Sequence, residues 1–395
     1  MADISYREFA GVRNDVSPER FKPGDLVSAD NCDLDASGKL QRRSGYTQKL
    51  AGDCHSLWAE ANICLYVSGT ILKRLYPDYS SATLRGGLTA NAPMSSCRVN
   101  DRVYYANGFE TGIVQNGVSR SWGMTPPAYQ PLASVISGEL NAGTYQYALT
   151  FIRNDGQESG TGLSESIEAP ANGGISFSAI AVSPDPDVTH KCLYLTTANG
   201  EILYQAFYLA NAATSASYID NGVRLQSPLG TQFLQNALPG HLINYYRGRL
   251  YVAAGNLLFP SEAYAYELFD VRKYLPFDSR ITLIAPVEDG VFIGSEKQTV
   301  FLAGRGPEDF ELIHKAPYGA IPGALAYAPG SLVKQAQNQG ESPVAFWLSP
   351  QGVCLGLNGG ALQNLTPQYS FSAPAAGAGL FRRGVHSQYL ACLAS

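Results

Sequence analysis

One pattern governs what this chain can become: a polar turn, an alternating apolar strand, a second turn and a return strand, repeated along its length. The unit is legible at Ala61–Leu75 (ANICLYVSGTILKRL), Asn100–Val114 (NDRVYYANGFETGIV), Tyr246–Phe259 (YRGRLYVAAGNLLF) and Glu288–Leu302 (EDGVFIGSEKQTVFL). It returns at Pro343–Leu357 (PVAFWLSPQGVCLGL) and Gly384–Leu393 (GVHSQYLACL). Where units are consecutive, their spacing is about 40–55 residues, the range of propeller blades and arrays. A single hairpin cannot bury its own faces, whereas radial stacking of several supplies the missing cover. The repeat therefore predicts an all-β fold, a β-propeller of five or six degenerate hairpin blades. The last strand, near Leu390, is expected to pair with an N-terminal strand, because an unclosed propeller leaves edges unpaired.

One stretch breaks the spacing. Between the second and third units lies Pro127–Gln226, where Val135, Gly143–Phe151 and Lys191–Thr197 alternate as half-buried antiparallel strands. Turn signals separate them at Asn154-Asp155-Gly156, Asn172-Gly173-Gly174, Ser183–Asp187 and Asn199-Gly200. Short strands with turns every ~8–12 residues predict an inserted immunoglobulin- or fibronectin-III-like β-sandwich. The expected organisation is residues 1–126 and 229–395 for the two parts of the propeller and 127–228 for the insert. Met124–Pro127 and Asn221–Gly230 are the expected linkers. The best helix candidate is Ser261–Tyr274, with Ser261 as N-cap, although its Tyr/Phe alternation equally suits a strand.

Composition narrows the class. Of the 395 residues 45% are hydrophobic and only 15% charged, which opposes the bias that disorder requires. The net charge of −5 comes with no Lys/Arg stripe for reading nucleic acid from outside. The first residues, MADISYREFAGVRND, lack the apolar core of a signal peptide, and no apolar run approaches 18 residues, so membrane insertion is not expected. The seven cysteines are scattered without metal-finger spacing, which fits reduced thiols in a cytoplasmically made protein.

Catalytic signatures are missing: there is no GxxxxGK[ST], HExxH, GxSxG or GxGxxG. His55, His190, His241, His314 and His386 are isolated in sequence. A sialidase-like propeller needs a central arginine cluster with a tyrosine nucleophile, or a carboxylate pair. Arg42-Arg43, Arg382-Arg383 and Tyr245-Tyr246 are adjacent pairs, and neighbours in a strand point to opposite faces. A non-enzymatic protein without cofactors is expected. Asp33, Asp35 and Ser37, followed by Gly38, match the front half of a calcium loop, but Ser44 stands where the bidentate glutamate belongs. An Asp-rich hairpin turn is the expected reading of that segment.

The N-terminal stretch carries a resemblance. Phe9-Ala-Gly-Val-Arg-Asn-Asp15, followed by Ala29-Asp-Asn-Cys-Asp33-Leu-Asp35-x-x-Gly38-x-Leu40-x-Arg42-Arg43-x-Gly45-Tyr46, resembles the opening of tail hub, stabilisation or nozzle proteins of short-tailed bacteriophages. Beyond Tyr46 the likeness is one of architecture. The resemblance implies a virion structural protein made in the host cytoplasm and assembled as a homo-oligomeric ring, expected to be a hexamer. That ring would sit below the portal and adaptor of the head-to-tail connector, contact tail fibres or a plug, extend the ejection channel and help retain the genome. A mildly acidic lumen would let DNA pass without holding it. Asp33, Asp35, Arg42 and Arg43 are the candidate interface residues, the arginines through charge-assisted bonds to a neighbouring subunit. The alternative is a tail-tip protein that binds a host receptor or glycan through an aromatic groove, for which Tyr264, Tyr266 and Trp347 are candidates.

Overall fold

The computed structural model describes residues 8–35, 37–220, 226–372, 375–384 and 387–394. Positions 1–7, His386 and residues 221–225 of the expected linker lie outside the described residues. The described chain is all-β, with short 3-10 turns as its only helical elements.

Five antiparallel up-and-down sheets follow one another, each with at least four strands. Sheet I comprises Cys54–Glu60, Ile63–Ser68, Ile71–Leu75 and Ser81–Arg85; sheet II comprises Ser95–Val99, Arg102–Ala106, Thr111–Gln115 and Val118–Arg120. Sheet III holds Leu242–Tyr246, Arg249–Ala254, Leu257–Glu262 and Ala265–Phe269, with Leu275–Pro276 added to its third strand. Sheet IV holds Ile281–Val287, Gly290–Ser295, Thr299–Ala303 and Glu311–Ala316. Sheet V holds Ala326–Pro329, Pro343–Ser349, Gly352–Gly356 and Leu362–Asn364. Among the described residues a sixth sheet has two strands, Ala376–Arg382 and Gln388–Ala394.

The repeats in the sequence are the middle of these sheets. In sheets I to V each recurring unit supplies the second and third strands, and in sheet VI the unit ends after the second. The central strands of sheets II to V are buried on both faces, as in Gly290–Ser295, so each needs cover from both neighbours. Five seams provide it. Leu65, Val67, Val103 and Tyr105 fill the seam between sheets I and II. Tyr104, Trp122, Ile243, Leu250 and Phe269 fill the next. Tyr251, Leu258, Ile284 and Val300 pack sheet III on IV, and Phe292, Phe301, Trp347 and Cys354 pack IV on V. Phe346 stacks on Phe381 and Tyr389 at ring distances of 5.7 and 5.4 Å to hold the two-stranded sheet VI. Among the described residues no apolar cluster joins sheet VI to sheet I. Their first strands expose Leu57 and Leu380 instead.

The leading strands of the sheets converge. Ile243 N–H donates to Ser95 Oγ across 3.0 Å, and Asn244 Nδ2 donates to the Ile284 carbonyl at 2.9 Å and to Tyr327 Oη at 3.2 Å. One asparagine thus ties the leading strands of sheets III, IV and V.

Between sheets II and III the chain builds two further sheets. One orders Leu132–Leu140, Gly173–Ser178 and Ala216–Tyr218; the other orders Glu165–Ala169, Gly143–Arg153, Val188–Leu195 and Tyr204–Ala210. They share a core of Tyr145, Tyr147, Leu149, Phe151, Leu193 and Leu195 against Ile175 and Phe177. The back of the larger sheet is covered as well, because Ala148, Cys192 and Tyr194 lie under Leu203.

One expectation is corrected. The helix candidate Ser261–Tyr274 is strand, turn and strand. Ser261 is buried in a strand, where its Oγ accepts the Leu250 N–H at 3.0 Å rather than capping a helix, and Tyr264 is the turn. The strand around Leu390 pairs on one edge with Ala376–Arg382. Among the described residues the N-terminal region forms two small pairs, Gly11–Val12 parallel to Asp25–Leu26 and Cys32–Leu34 antiparallel to Leu40–Arg42. Asn14 anchors it, with its side chain bonded to the Ser370 backbone and its N–H donating to the Gln368 carbonyl.

Lys191 sits fully buried in the core between the two intervening sheets, where its Nζ donates to the Ala181 carbonyl at 2.7 Å. Burial without a carboxylate lowers its pKa to about 8 from 10.5. The folded state therefore binds fewer protons than the unfolded chain between those values, and stability from this group rises with pH across that window. Below about pH 8 the full cost of the buried ammonium is present. Lys191→Met is expected to raise the melting temperature at pH 7 and to remove the rise seen on titrating the parent protein from pH 8 to 10.5, as measured by thermal unfolding across that range.

Candidate functional site

Charged residues meet where the intervening sheets dock on sheets II and III. Glu267, on the last strand of sheet III, is 5% exposed. Its Oε1 accepts from Arg102 at 2.8 Å, from Arg120 at 3.1 Å and from the Gln157 amide at 2.9 Å, and its Oε2 accepts from Arg153 at 2.9 Å. Arg153 ends the long strand Gly143–Arg153, is 1% exposed, and also bonds Asp185 Oδ2 through Nη2 at 2.7 Å. Asp155 takes longer contacts from Arg102 and Arg120, at 3.4 and 3.5 Å. Three guanidiniums and three carboxylates thus neutralise one another at the junction. Tyr104 lies beneath, its phenol held above its ordinary pKa by burial and then by the Glu267 charge.

An arginine cluster beside a tyrosine and carboxylates is the set a sialidase-like propeller would need. Here every guanidinium is spent on a carboxylate of the chain. The arrangement acts as a clamp: sheet II contributes Arg102 and Arg120, sheet III Glu267, and the intervening unit Arg153, Asp155, Gln157 and Asp185. It leaves no contiguous trace in the sequence because its members lie up to 165 positions apart. The signal available was local, namely a charge at a position where strand alternation demands an apolar residue, as with Glu267 in AYELF and Arg153 in GTYQYALTFIR.

The sequence-derived candidates lie elsewhere. Asp35 Oδ1 accepts from Ser37 N–H, Ser37 Oγ and Lys39 N–H at 2.9, 2.6 and 2.9 Å, so it organises the hairpin turn. Asp33 accepts from Arg43 Nε at 2.9 Å and faces Arg382 at 3.8 Å. Among the described residues no group of three His, Cys, Asp or Glu is placed to hold a metal ion. Arg43 thus binds within its own chain, whereas Arg42 is exposed and in no ion pair among the described residues. With Asn31, Ser44, Gly45 and Tyr46 these arginines line a shallow cleft of about 570 Å³. Tyr46 is 95% exposed.

The aromatic candidates separate. Trp347 is 0% exposed and belongs to the core of sheets IV and V, against Phe292 at 5.4 Å, not to a groove. Tyr264 is 79% exposed, and its ring lies over Gly248, whose φ of +79° and lack of a side chain permit the approach. The Tyr264 N–H donates to the Gly248 carbonyl at 2.7 Å. Tyr266 packs beside Tyr245 at 6.0 Å, with its phenol pushed up to about 12 chiefly by burial. His241 Nε2 lies 2.7 Å from the Ile281 carbonyl, and His190 stacks on Tyr208.

The leading strands carry few charges: Glu60, Arg98 and Arg382. Burial raises the Glu60 pKa, and the Arg98 charge opposes the shift. The hydrogen bond from Asn244 to Tyr327 crosses between these strands.

No protein-family model and no curated protein matches this chain. Solved structures similar to it include a streptogramin B lyase, at 10% identity and TM-score 0.34 over 87% of this chain and 94% of that one. The extracellular domain of a hybrid two component system from B. thetaiotaomicron is 12% identical, with TM-score 0.29 over 81% of this chain and 34% of that one. Apo AztD from Citrobacter koseri is 9% identical, with TM-score 0.28 over 86% and 89%. No helix among the described residues is long and apolar enough to cross a membrane.

Removing one member of a buried ion cluster leaves the others uncompensated, at a cost of about 3–5 kcal/mol. Glu267→Ala is expected to lower the unfolding midpoint in urea by a corresponding amount and to expose the connections around residues 121–131 and 226–240 to limited proteolysis. Unchanged digestion kinetics would show that the clamp does not hold the two parts together.

Proposed function

We propose that this chain is a ring-forming structural component of the tail of a short-tailed bacteriophage, of the nozzle or hub kind, whose assembled ring extends the DNA-ejection channel below the connector. The observation that carries this reading is uncovered surface. The chain exposes 20485 Å², whereas a compact monomer of 42.4 kDa exposes about 15,000 Å². Exposed segments without cover among the described residues are the motif-bearing N-terminal residues up to Tyr46, the stretch that follows them, and the first strands of sheets I and VI, where Leu57 and Leu380 are bare. The chain is also mildly acidic, so a lumen lined by several copies repels phosphates rather than binding them.

In this reading sheets I to VI are the blades of a six-bladed propeller, and the intervening unit is a fibronectin-III-like module spanning roughly residues 127–228. The order of its four-stranded sheet, with the two central strands flanked by the short one and the late one, fits that assignment. The DNA channel of this reading does not run between the leading strands, which the hydrogen bond from Asn244 to Tyr327 joins. The channel is the space enclosed by several copies, expected to be six. The ring meets the adaptor above and fibres or a plug below, and acts as a mechanical conduit with no chemistry of its own.

A second reading rests on Tyr264, whose exposed ring beside Tyr266 and Tyr245 gives a stacking platform of the kind that binds sugars. In that case the chain is a tail-tip receptor binder.

Native mass spectrometry and electron microscopy of the purified chain, alone and mixed with its portal–adaptor complex, separate the two. A closed ring that docks coaxially on the connector is the expected result. A monomer that ignores the connector but binds host cells, with Tyr264→Ala abolishing the binding, would establish the second reading.

A further inference from the structure

Two stretches of backbone have no strand partner among the described residues. The first is 44–52 (SGYTQKLAG), which runs from the N-terminal hairpin to sheet I. The backbone bonds of Arg43 to Asn31 and of Gly69 to Asp53 bracket it, and no residue between makes a backbone–backbone hydrogen bond. All but Leu50 are exposed. The second is the outer edge of Gln388–Ala394. Sheets I to V complete at least four strands, whereas among the described residues sheet VI has two and this strand bonds to Ala376–Arg382 alone. Its sequence, QYLACLA, carries no charge and no proline. Natural sheets guard their edges with lysine, proline or bulges, and this edge has none of them.

We propose that the ring is stitched by strand addition, in which segment 44–52 of one copy pairs with the free edge of Gln388–Ala394 in the next. The proposal rests on the ring-forming reading above and specifies its joint. A second copy fits as the occupant on three grounds. Both halves of the joint, an unpaired strand and an unpaired edge, are carried by every copy, and they are different surfaces. A head-to-tail contact of that kind closes into a ring when the rotation permits. The chain's own N-terminal hairpin does not occupy the edge: its ion pair with sheet VI goes to Arg382, the last residue of the first strand. And the uncovered excess of about 5,000 Å² is what two faces of an extensive interface remove.

The chemistry of the two strands agrees. Backbone bonds give strand addition its affinity, and alternate side chains give it register. In an extended 44–52, Tyr46, Gln48 and Leu50 share one face, while Lys49 turns to the other, where it already lies over the Tyr79 ring at 5.2 Å. Tyr46 and Leu50 are thereby free to cover Leu393, which is 40% exposed. Segment 44–52 is tethered at both ends, so little chain entropy is lost on pairing. Arg42, at its root, brings an unpaired guanidinium to the same joint.

The test uses the full chain with Cys54→Ser, which removes a second exposed thiol, and Thr47→Cys, which places one near the middle of the segment on the face that native Cys392 shares. Treatment with a short bismaleimide is expected to give a ladder of covalent multimers on denaturing gels, and Cys392→Ser is expected to abolish it. In parallel, Leu393→Lys, which puts a charge on an exposed edge position, is expected to raise the concentration for half-assembly by about tenfold or more while leaving the melting temperature of the monomer unchanged. A ring that persists with cross-links only inside single chains, or that tolerates Leu393→Lys, overturns strand addition and leaves the ring standing. A ladder that appears only when the adaptor is present, made of chain–adaptor products, assigns the edge to that partner and overturns the self-pairing. A chain that stays monomeric at every concentration overturns both this joint and the ring-forming reading.

Discussion

The fold depends on the fact that a hairpin sheet with two apolar faces has no stable existence alone. The central strands of sheets II to V are buried on both sides, so each of these sheets is completed by its neighbours rather than by itself. Large aromatic residues carry the seams: Tyr104, Trp122 and Phe269 in one, Phe292, Phe301 and Trp347 in another, Phe346, Phe381 and Tyr389 in a third. Such side chains bring the most apolar area for the fewest frozen torsions. The same dependence explains why the first and last sheets differ from the rest. Each has one packed neighbour and one bare face, and it is there that the chain exposes Leu57, Leu380 and Leu393.

Within this framework the intervening unit is held by charge instead of area. Glu267 is reached by guanidiniums from sheet II and from the strand Gly143–Arg153, and the bonds cost each partner its hydration. Such clusters are weak sources of net stability and strong sources of geometry. Their value lies in fixing one orientation between two sets of sheets whose apolar cores are separate. An apolar patch at this junction would tolerate sliding; a guanidinium fork around one carboxylate does not.

The sequence made the architecture visible only in part, and the reason is physical. Alternation is clear in strands such as Arg249–Ala254 and Gly290–Ser295, the middle pair of their sheets. The leading strands SSCRV, AYAP and AGAGLFR are short or rich in small residues because they crowd together near the centre, and the outermost strands VSR and LQN are short edges. Neither leaves a periodic trace. The segment around Ser261 shows the opposite failure: a possible cap and a run of helix-tolerant residues suggested a helix, and tertiary pairing with Arg249–Ala254 decided for strand. The Asp33–Gly38 turn was read correctly from its chemistry, since Asp35 bonds the backbone two and four residues on. The clamp around Glu267 was illegible, because no local rule links Arg102, Arg153 and Glu267. What the sequence did offer, a charge inside an apolar alternation, is easily mistaken for a strand end.

The place of the intervening unit in the chain also bears on how the protein folds. Sheets II and III pack side by side, yet their nearest strands are Val118–Arg120 and Leu242–Tyr246, with the whole unit between them. As long as that stretch is unfolded, bringing the two sheets together means closing a loop of on the order of 120 residues. That is about 2 kcal/mol more entropy than closing a loop a tenth as long. Once the unit has folded and drawn its two ends together, the closure is almost local. The seam at Trp122 thus becomes easier to close once the intervening unit has folded, so the unit's position in the chain lightens the entropy of bringing sheets II and III together.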